Sequence, residues 1–307
     1  MADVKATDVK ALRDRIGAGM MDCKKALVEC NGNIEEAVDW LRKKGLVAAT
    51  KKSGRIAAEG LIGVYVDANK GAIVEVNAET DFVARNELFQ KYVSNVVKIA
   101  HKNNSDLESL KALGYPDTQH TISEELTNLI AIIGENMGLR RVAHLSVATG
   151  VIASYIHNKI SDNLGKIGIL VALESSGNKE KLLDFGKKIA MHIAAANPQS
   201  ISIEDLDPAL LQRERDVVTE QAKGMGKPTE FIEAIVNGRI RKFYEEVVLL
   251  EQVFIIDGST KVKDVIANFA KEMGVSIKVK GFVKFVLGEG IEKQAVNFAA
   301  EVAAQLQ

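Results

Sequence analysis

The motifs that would give this chain a reaction of its own are missing from its sequence. No GxxxxGK[ST] segment occurs, so a P-loop nucleotide site is not expected. GEG at 288–290 lacks the third glycine of a dinucleotide-binding turn, and we interpret it as a turn before a helix. Neither GxSxG nor HExxH occurs, and no two histidines have metal-ligand spacing; His192 is predicted to be a core residue. The sequence favours a binding protein over an enzyme, with no cofactor or metal.

The segment TDFVARN at 80–86 is the strongest candidate for a binding site. It follows a predicted strand and precedes a predicted helix, where a chain can present side chains outward. In one interpretation Asp81 caps the coming helix and Phe82 packs on the core. In the other, Phe82 is exposed and anchors a partner, because aromatic residues are enriched at binding hot spots. The residue types by themselves slightly favour the first interpretation.

Residues 1–45 are predicted to form three short helices. Thr7 is a candidate cap of the first helix, and Asp22 of the second. Asn33 with a glutamate three residues later resembles a capping box, and the third helix is expected to end at Gly45. A bundle of this size is only marginally stable alone, so it is expected to need a partner.

Met20 and Met21 mark where a partner of this helical module would dock, because they stand in a turn that is expected to be exposed. Residues 46–59, LVAATKKSGRIAAE, are interpreted as a basic, alanine-rich linker to the rest of the chain.

Two copies of a ββα unit are predicted to form the core. GLIGVYV from Gly60 and GAIVEVN predict a hairpin, and a helix with an apolar face follows. GVIASYI from Gly150 and GKIGILVAL repeat the pattern, and the helix at 185–196 matches the helix at 89–100. The predicted fold class is therefore α+β, with two related subdomains side by side.

An interruption of the second subdomain predicts a protruding antiparallel helical hairpin of coiled-coil type at 201–242. Asp207 and the following proline suit a helix start, GMGKP breaks the chain, and Thr229 starts the next helix. QVFII and VKGFVKFVL are predicted as strands that flank a helix at 262–273, and an amphipathic tail follows. The predicted organisation has six parts: 1–45, 46–59, 60–146, 147–200 with 243–287, 201–242 and 288–307.

Composition and charge exclude several other classes. The 307 residues have a formal charge of −1, which gives no general attraction for a polyanion. The basic cluster at 42–55 has no aromatic neighbour on which a base could stack, so direct nucleic-acid binding is not expected. No segment approaches the roughly 18 apolar residues of a membrane span. Cys23 and Cys30 lack zinc-ligand partners and predict a reducing, cytoplasmic environment.

Several segments, in order, resemble the elongation factor Ts family, and the similarity covers nearly the whole chain. Two match the family's signatures and three shorter ones follow in the same order: LRDRIGAGMMDCKKAL (12–27), EVNAETDFVARN (75–86), GEN (134–136) with LRRVA after it, IAMHIAA (189–195) and GEGIEK (288–293). The stretch at 156–168 is longer than the usual hairpin of the family.

The resemblance implies a guanine-nucleotide exchange factor for elongation factor Tu that catalyses no chemical reaction of its own. In the family, the N-terminal module is similar to a ubiquitin-associated domain and packs on the partner's nucleotide-binding domain, here through Leu12, Met20 and Met21. His157, in the second subdomain, would contact a more distant domain of the partner. The hairpin would serve dimerisation or further partner contacts, and the C-terminal helix would also touch the partner.

The same resemblance assigns the wedge of the family to TDFV, residues Thr80, Asp81, Phe82 and Val83. The Asp81–Phe82 pair would enter between two helices of the partner's nucleotide-binding domain and disturb its magnesium and phosphate site. It thereby favours the exposed interpretation of Phe82.

Two competing classes stay open on the sequence. A translation-associated RNA-binding protein would need a coherent basic face. An adaptor for ubiquitin-like proteins would explain residues 1–45 but would leave TDFVARN and the internal repeat without a role.

Overall fold

The computed structural model describes residues 4–224 and 228–292, which form an α+β fold. The elements are, in chain order, α1 (Ala6–Ile16), α2 (Met20–Glu29), α3 (Ile34–Lys52), β1 (Glu59–Asp67), β2 (Lys70–Ala78), α4 (Glu87–Asn103), α5 (Leu107–Ala112), α6 (Ile122–Ile133), β3 (Met137–Ser146), β4 (Gly150–His157), β5 (Leu164–Gly165), β6 (Ile167–Glu174), α7 (Lys179–Ala196), α8 (Pro208–Gly224), α9 (Thr229–Val247), α10 (Val262–Met273) and β7 (Lys278–Val286). Two 3-10 turns lie at Val83–Arg85 and Leu249–Glu251.

The three predicted N-terminal helices are present and pack around one small core. Asn33 caps α3 as predicted, because its side chain accepts from the backbone N–H groups of Glu35 and Glu36 at 3.0 and 3.3 Å. The predicted caps of the first two helices are wrong. The residues before α1 and α2 are Lys5 and Gly19, so Thr7 and Asp22 lie inside the first turns.

The third helix does not end at Gly45 but continues to Lys52, which corrects the first half of the predicted linker. Glycine costs only about 1 kcal/mol in a helix interior relative to alanine, and packing of α3 on α6 offsets that cost. Gly45 is buried in the crossing, where an added Cβ would lie 3.3 Å from the Cβ of Ala131. The helical module is therefore joined to the rest of the fold by a continuous helix.

The first subdomain is an antiparallel sheet of strand order β3-β2-β1-β5 with α4 packed on one face. The apolar face of α4 is buried as predicted, at Phe89, Tyr92, Val93, Val96, Val97 and Ala100. β5 comes from the long 156–168 stretch and pairs with Ile62 and Gly63 of β1. This stretch thus adds a short strand to the first sheet.

The second subdomain repeats this plan with strand order β4-β6-β7 and α7 on its outer face, and the predicted ββα repeat is confirmed. The two sheets pack face to face rather than side by side, through a shared apolar layer that includes Ile62, Ile73, Ile152 and Leu170. The helices α4 and α7 therefore lie on opposite outer sides of a pair of sheets.

Helices α8 and α9 form the predicted hairpin, with Val218, Val236 and Ile240 buried between them. Part of the GMGKP turn, 225–227, lies outside the described residues, and so do residues 293–307 of the predicted C-terminal helical module at 288–307.

The predicted strand QVFII is wrong, because residues 252–256 follow the 3-10 turn at Leu249–Glu251 and form a single bridge, between Val253 and Lys261. Its first residue, Gln252, is buried and bonds His192 of α7 at 2.9 Å. His192 is fully buried, as predicted for a core residue. The helix predicted at 262–273 and the strand that follows it are present as α10 and β7.

Candidate partner-binding surface

The segment between β2 and α4, residues 79–86 and here called the Phe82 loop, turns an aromatic side chain to solvent. Phe82 is 78% exposed, the largest exposed fraction of any large hydrophobic residue that the structure describes. The 3-10 turn begins directly after it, and Val83 and Ala84 are buried beneath the loop. Asp81 is exposed beside Phe82, and its carbonyl accepts from Ala84 N at 3.2 Å. The loop therefore has a buried base and an exposed Asp–Phe tip.

This geometry excludes the capping interpretation of Asp81 and the core interpretation of Phe82. The helix α4 is capped by Asn86, whose side-chain oxygen accepts from Leu88 N at 2.9 Å and Phe89 N at 3.4 Å. Of the four residues at 80–83, only Val83 packs into the core, where it is 3% exposed.

The chain that follows α6 braces the Phe82 loop. Glu135 accepts from the backbone N–H of Thr80 at 3.0 Å and from its hydroxyl at 2.7 Å. The next residue, Asn136, donates its backbone N–H to the carboxylate of Glu79 and its amide to the carbonyl of Arg55 at 2.7 Å. In the sequence, the GEN segment at 134–136 is the only sign of Glu135, and it indicates no role for that residue.

The three N-terminal residues predicted to contact a partner, Leu12, Met20 and Met21, differ in exposure. Met20 and Met21, at the start of α2, are 50% and 75% exposed and are accessible to a partner. Leu12 is fully buried in the core of the module. Its helical spacing places it inside the module, so it does not form part of the exposed methionine surface.

His157 is exposed at the end of β4, on the second sheet. The hydroxyl of Tyr155 lies 3.1 Å from its Nδ1 atom. The structure places this pair on a different subdomain from Phe82, so the candidate residues form separate surfaces rather than one pocket.

Three residues of the basic cluster at 42–55 contact neighbouring side chains, two of them carboxylates. Lys44 pairs with Asp22, Arg42 bonds His120 at 2.8 Å, and Arg55 lies 3.5 Å from Glu79. A cavity of about 310 Å³ lies between α3 and α6, and neither Phe82 nor His157 lines it.

Both cysteines are free, and burial raises the pKa of the Cys23 thiol. Within 4–224 and 228–292, no three His, Cys, Asp or Glu side chains are grouped so that they could hold a metal ion. Over the same residues, no helix has the length and apolar character needed to cross a bilayer.

An exposed aromatic on a braced loop, together with exposed methionines on a helical module, defines a protein of the partner-binding class. Comparison with known proteins gives its family. A family model described as elongation factor TS matches residues 79–289. The proteins named elongation factor Ts from Rhodospirillum centenum, Paramagnetospirillum magneticum and Rhodospirillum rubrum are 58%, 56% and 54% identical to this chain. They align with 99%, 99% and 100% of it and over 99%, 98% and 100% of their own lengths. The chain belongs to the elongation factor Ts family and is a translation elongation factor.

Proposed function

We propose that this chain releases guanine nucleotide from elongation factor Tu by inserting the tip of the Phe82 loop between two helices of the partner's nucleotide-binding domain. Family membership supports the general role, that of a translation elongation factor which acts as a nucleotide exchange factor for elongation factor Tu. The observation that carries the mechanism is the 78% exposure of Phe82 on a loop braced from below.

The residues of the loop have different parts in this mechanism. Phe82 is the wedge, and Asp81 brings a carboxylate to the magnesium and phosphate site of the partner. Thr80 and Val83 act from beneath, because one is bonded to Glu135 and the other is buried. The chain supplies contacts rather than a chemical reaction, and it binds no nucleic acid directly.

Met20 and Met21 would dock on the same partner domain, and His157 would hold a second, more distant one. The hairpin offers a further apolar surface for a second copy of this chain or for the partner, since Val217 and Phe231 are 46% and 54% exposed.

Thermodynamic linkage explains why several contacts are needed. If this chain lowers the affinity of elongation factor Tu for nucleotide, nucleotide lowers the affinity for this chain by the same factor. Moving a two-state balance from 1:99 to 99:1 takes about 5.5 kcal/mol of preference for one state. Burial of one Phe side chain supplies roughly 1.5–3 kcal/mol. Phe82 alone is therefore insufficient, and the methionine and second-subdomain contacts must hold the wedge in place.

The test is Phe82→Ala, with the melting temperature and the release of fluorescent GDP from elongation factor Tu measured on one preparation. Because Phe82 fills no core volume, the free energy of unfolding should change by no more than about 0.5 kcal/mol. Loss of a hot-spot side chain should cost about 2 kcal/mol of preference for the open partner, which slows release roughly 30-fold.

The matched control is Leu88→Ala, which removes a half-exposed apolar side chain six residues further on, at the start of α4. It should release nucleotide at the wild-type rate. A Phe82→Ala protein that melts normally and also exchanges at the wild-type rate would disprove the wedge.

A further inference from the structure

We infer that Glu135 is a positioning residue that fixes the Phe82 loop in its partner-ready shape before the partner binds. The inference rests on the proposed exchange function, and it assigns the pre-organisation of the wedge to one carboxylate outside the loop.

The tip of the loop needs support from outside because it has little of its own. Residues 79–82 belong to neither a helix nor a strand. Phe82 is mostly exposed, so packing of its ring does not hold the backbone. The buried pair Val83 and Ala84 anchors the side towards α4, and the end of β2 at Ala78 anchors the other. Thr80, between these anchors, is where the backbone must be fixed.

Glu135 fixes Thr80 with both oxygens of its carboxylate. Oε2 accepts from the backbone N–H at 3.0 Å, and Oε1 accepts from the hydroxyl at 2.7 Å. Both residues are partly shielded from water. Hydrogen bonds to an ionised acceptor are stronger than those between neutral groups. Two such bonds on one residue determine the direction in which the chain enters the Asp81–Phe82 tip.

A further hydrogen bond between the two segments runs in the opposite direction, with the loop as the acceptor. The loop residue Glu79 accepts from the backbone N–H of Asn136. Gly134, the residue after the end of α6, has φ 88° and turns the chain towards the loop. Two consecutive residues after α6 therefore hold two consecutive residues after β2.

The same helix also carries the methionine-bearing module. Ile132 and Ala131 of α6 face Gly17 and Gly45, where an added Cβ would lie 3.2 and 3.3 Å from these side chains. One face of α6 thus supports the module, while its C-terminal end supports the Phe82 loop. The clamp at Glu135 therefore sets the position of the wedge relative to Met20 and Met21.

Loss of the clamp should affect wedging more than docking, because the methionine surface and the second subdomain still bind the partner. Glu135→Ala should lower the maximal rate of GDP release from elongation factor Tu roughly tenfold, the size expected for losing hydrogen bonds to a charged group. The concentration that gives half-maximal release should stay within about twofold of wild type, because ordering the loop adds to the cost of wedging and not to the cost of docking.

A double-mutant cycle tests whether Glu135 acts through Thr80. Thr80→Val removes the hydroxyl while keeping the side-chain shape, and it should slow release less than Glu135→Ala, because one of the two bonds remains. The double variant should be no slower than Glu135→Ala, since the hydroxyl acts only through that carboxylate. Additive effects would overturn the inference. Glu87→Ala, which removes an exposed carboxylate at the start of α4, is the control for charge and should release at the wild-type rate.

Amide hydrogen exchange of the free protein gives a readout that does not need the partner. Glu135→Ala should speed exchange at residues 79–83 while the melting temperature stays near that of wild type. If wild type releases GDP and the variant does so at the same maximal rate, the inference fails and the proposed function stands. If the wild-type protein releases no GDP from elongation factor Tu, the proposed function fails. If amide exchange at 79–83 is unchanged in Glu135→Ala, Glu135 does not hold the loop and the inference fails. A general loss of protection throughout the variant would also overturn the inference.

Discussion

The two ββα subdomains share one scaffold but differ in the segment that joins the second strand to the helix. In the first, eight residues, 79–86, separate β2 from α4, and they include the 3-10 turn and Phe82. In the second, four residues, 175–178, separate β6 from α7. The proposed function thus lies where the copies differ, because the scaffold only has to hold the ends of that segment.

The shared positions show what the scaffold requires. Gly60, the second residue of β1, and Gly150, the first residue of β4, have φ of 120° and 137°, a region open mainly to glycine. A Cβ at either would collide with a carbonyl oxygen of the paired strand, that of Val76 or Leu173. The repeat is therefore preserved in backbone conformation as well as in apolar pattern.

At two pairs of matching positions, the subdomains differ in the chemistry of the side chain and not in the length of a segment. Each second strand is irregular at one point of its pairing, after Glu75 in β2 and after Ala172 in β6. Similarly, α4 has Val96 where α7 has His192, and both side chains are fully buried. The first subdomain thus contains a buried carboxylate and the second a buried imidazole, which makes each sensitive to acid in its own way.

The largest expected effect follows from removing that carboxylate. Glu75 is fully buried and accepts from Arg140, Arg141 and Asn77 and from the backbone N–H of Gly288 at 2.8 Å. Glu75→Ala should therefore lower the free energy of unfolding by about 3–5 kcal/mol, the cost of breaking a buried ion pair from one side. Urea unfolding at pH 7 measures it.

The stabilisation by Glu75 should also depend on pH, in a direction set by the shift of its pKa. Burial by itself raises the pKa of Glu75, but hydrogen bonds from Gly288, Asn77 and Arg141 outweigh it and lower the pKa below its ordinary value. The unfolded chain therefore takes up the proton first, so this stabilisation is present above the unfolded pKa of about 4.3 and is lost as the pH falls from there through the lower folded pKa. Glu35→Ala breaks the exposed pair with Arg15 and should change stability far less. Equal losses in the two variants would contradict the buried-pair account.

The parts of this comparison that depend on local pattern were predictable from the sequence. Apolar runs rich in Val and Ile identified the repeated hairpins, and the spacing of Asn33 and Glu36 identified a cap. The end of α3 was missed because Gly45 is typical of a helix terminus, whereas contact with α6 keeps that helix continuous. The strand predicted at QVFII was wrong because Val253, Ile255 and Ile256 are exposed there rather than paired in a sheet.

The candidate site was predictable only in part. The family signature favoured an exposed Phe82, which residue type alone did not. The clamp between Thr80 and Glu135 joins residues 55 positions apart, so no local pattern indicates it. Leu12 belongs to the same signature as Met20 and Met21, but the structure buries Leu12 in the core of the module and leaves the two methionines exposed.

The second expected effect is an acid sensitivity of the second subdomain. Burial lowers the pKa of His192 below its ordinary value. The unfolded chain then binds a proton near pH 6.5 that the folded chain does not, so stability is present above that pH and falls below it. The slope from one proton is at most about 1.4 kcal/mol per pH unit. His192→Gln should remove this part of the slope between pH 7 and 5.5.

The control for that experiment is His157→Gln, which changes an exposed imidazole of the same subdomain, at the end of β4. Its free energy of unfolding should follow wild type over the same pH range. If the two histidine variants show the same pH profile as wild type, the buried imidazole does not titrate differently in the folded and unfolded states.

The smallest expected effect compares the two caps at the ends of the unequal segments. Asn86 caps α4 through Leu88 N at 2.9 Å, and Asn178 caps α7 through Lys181 N at 3.1 Å. Alanine at either position should lower the free energy of unfolding by about 1 kcal/mol, the usual cost of losing an N-cap. Denaturant unfolding should therefore not distinguish the two variants.

Nucleotide release should distinguish them, because only one cap also ends the Phe82 loop. The backbone N–H of Asn86 bonds the carbonyl of Val83 at 2.9 Å and closes the 3-10 turn. Fraying the start of α4 thus loosens the base of the proposed wedge, and about 1 kcal/mol of lost order corresponds to release from elongation factor Tu that is roughly fivefold slower at most. Asn178→Ala frays a helix whose preceding segment has no such loop, so its release rate should match wild type. Equal slowing in both variants would mean that the effect comes from general stability, and the functional difference between the two subdomains would not lie in their connecting segments.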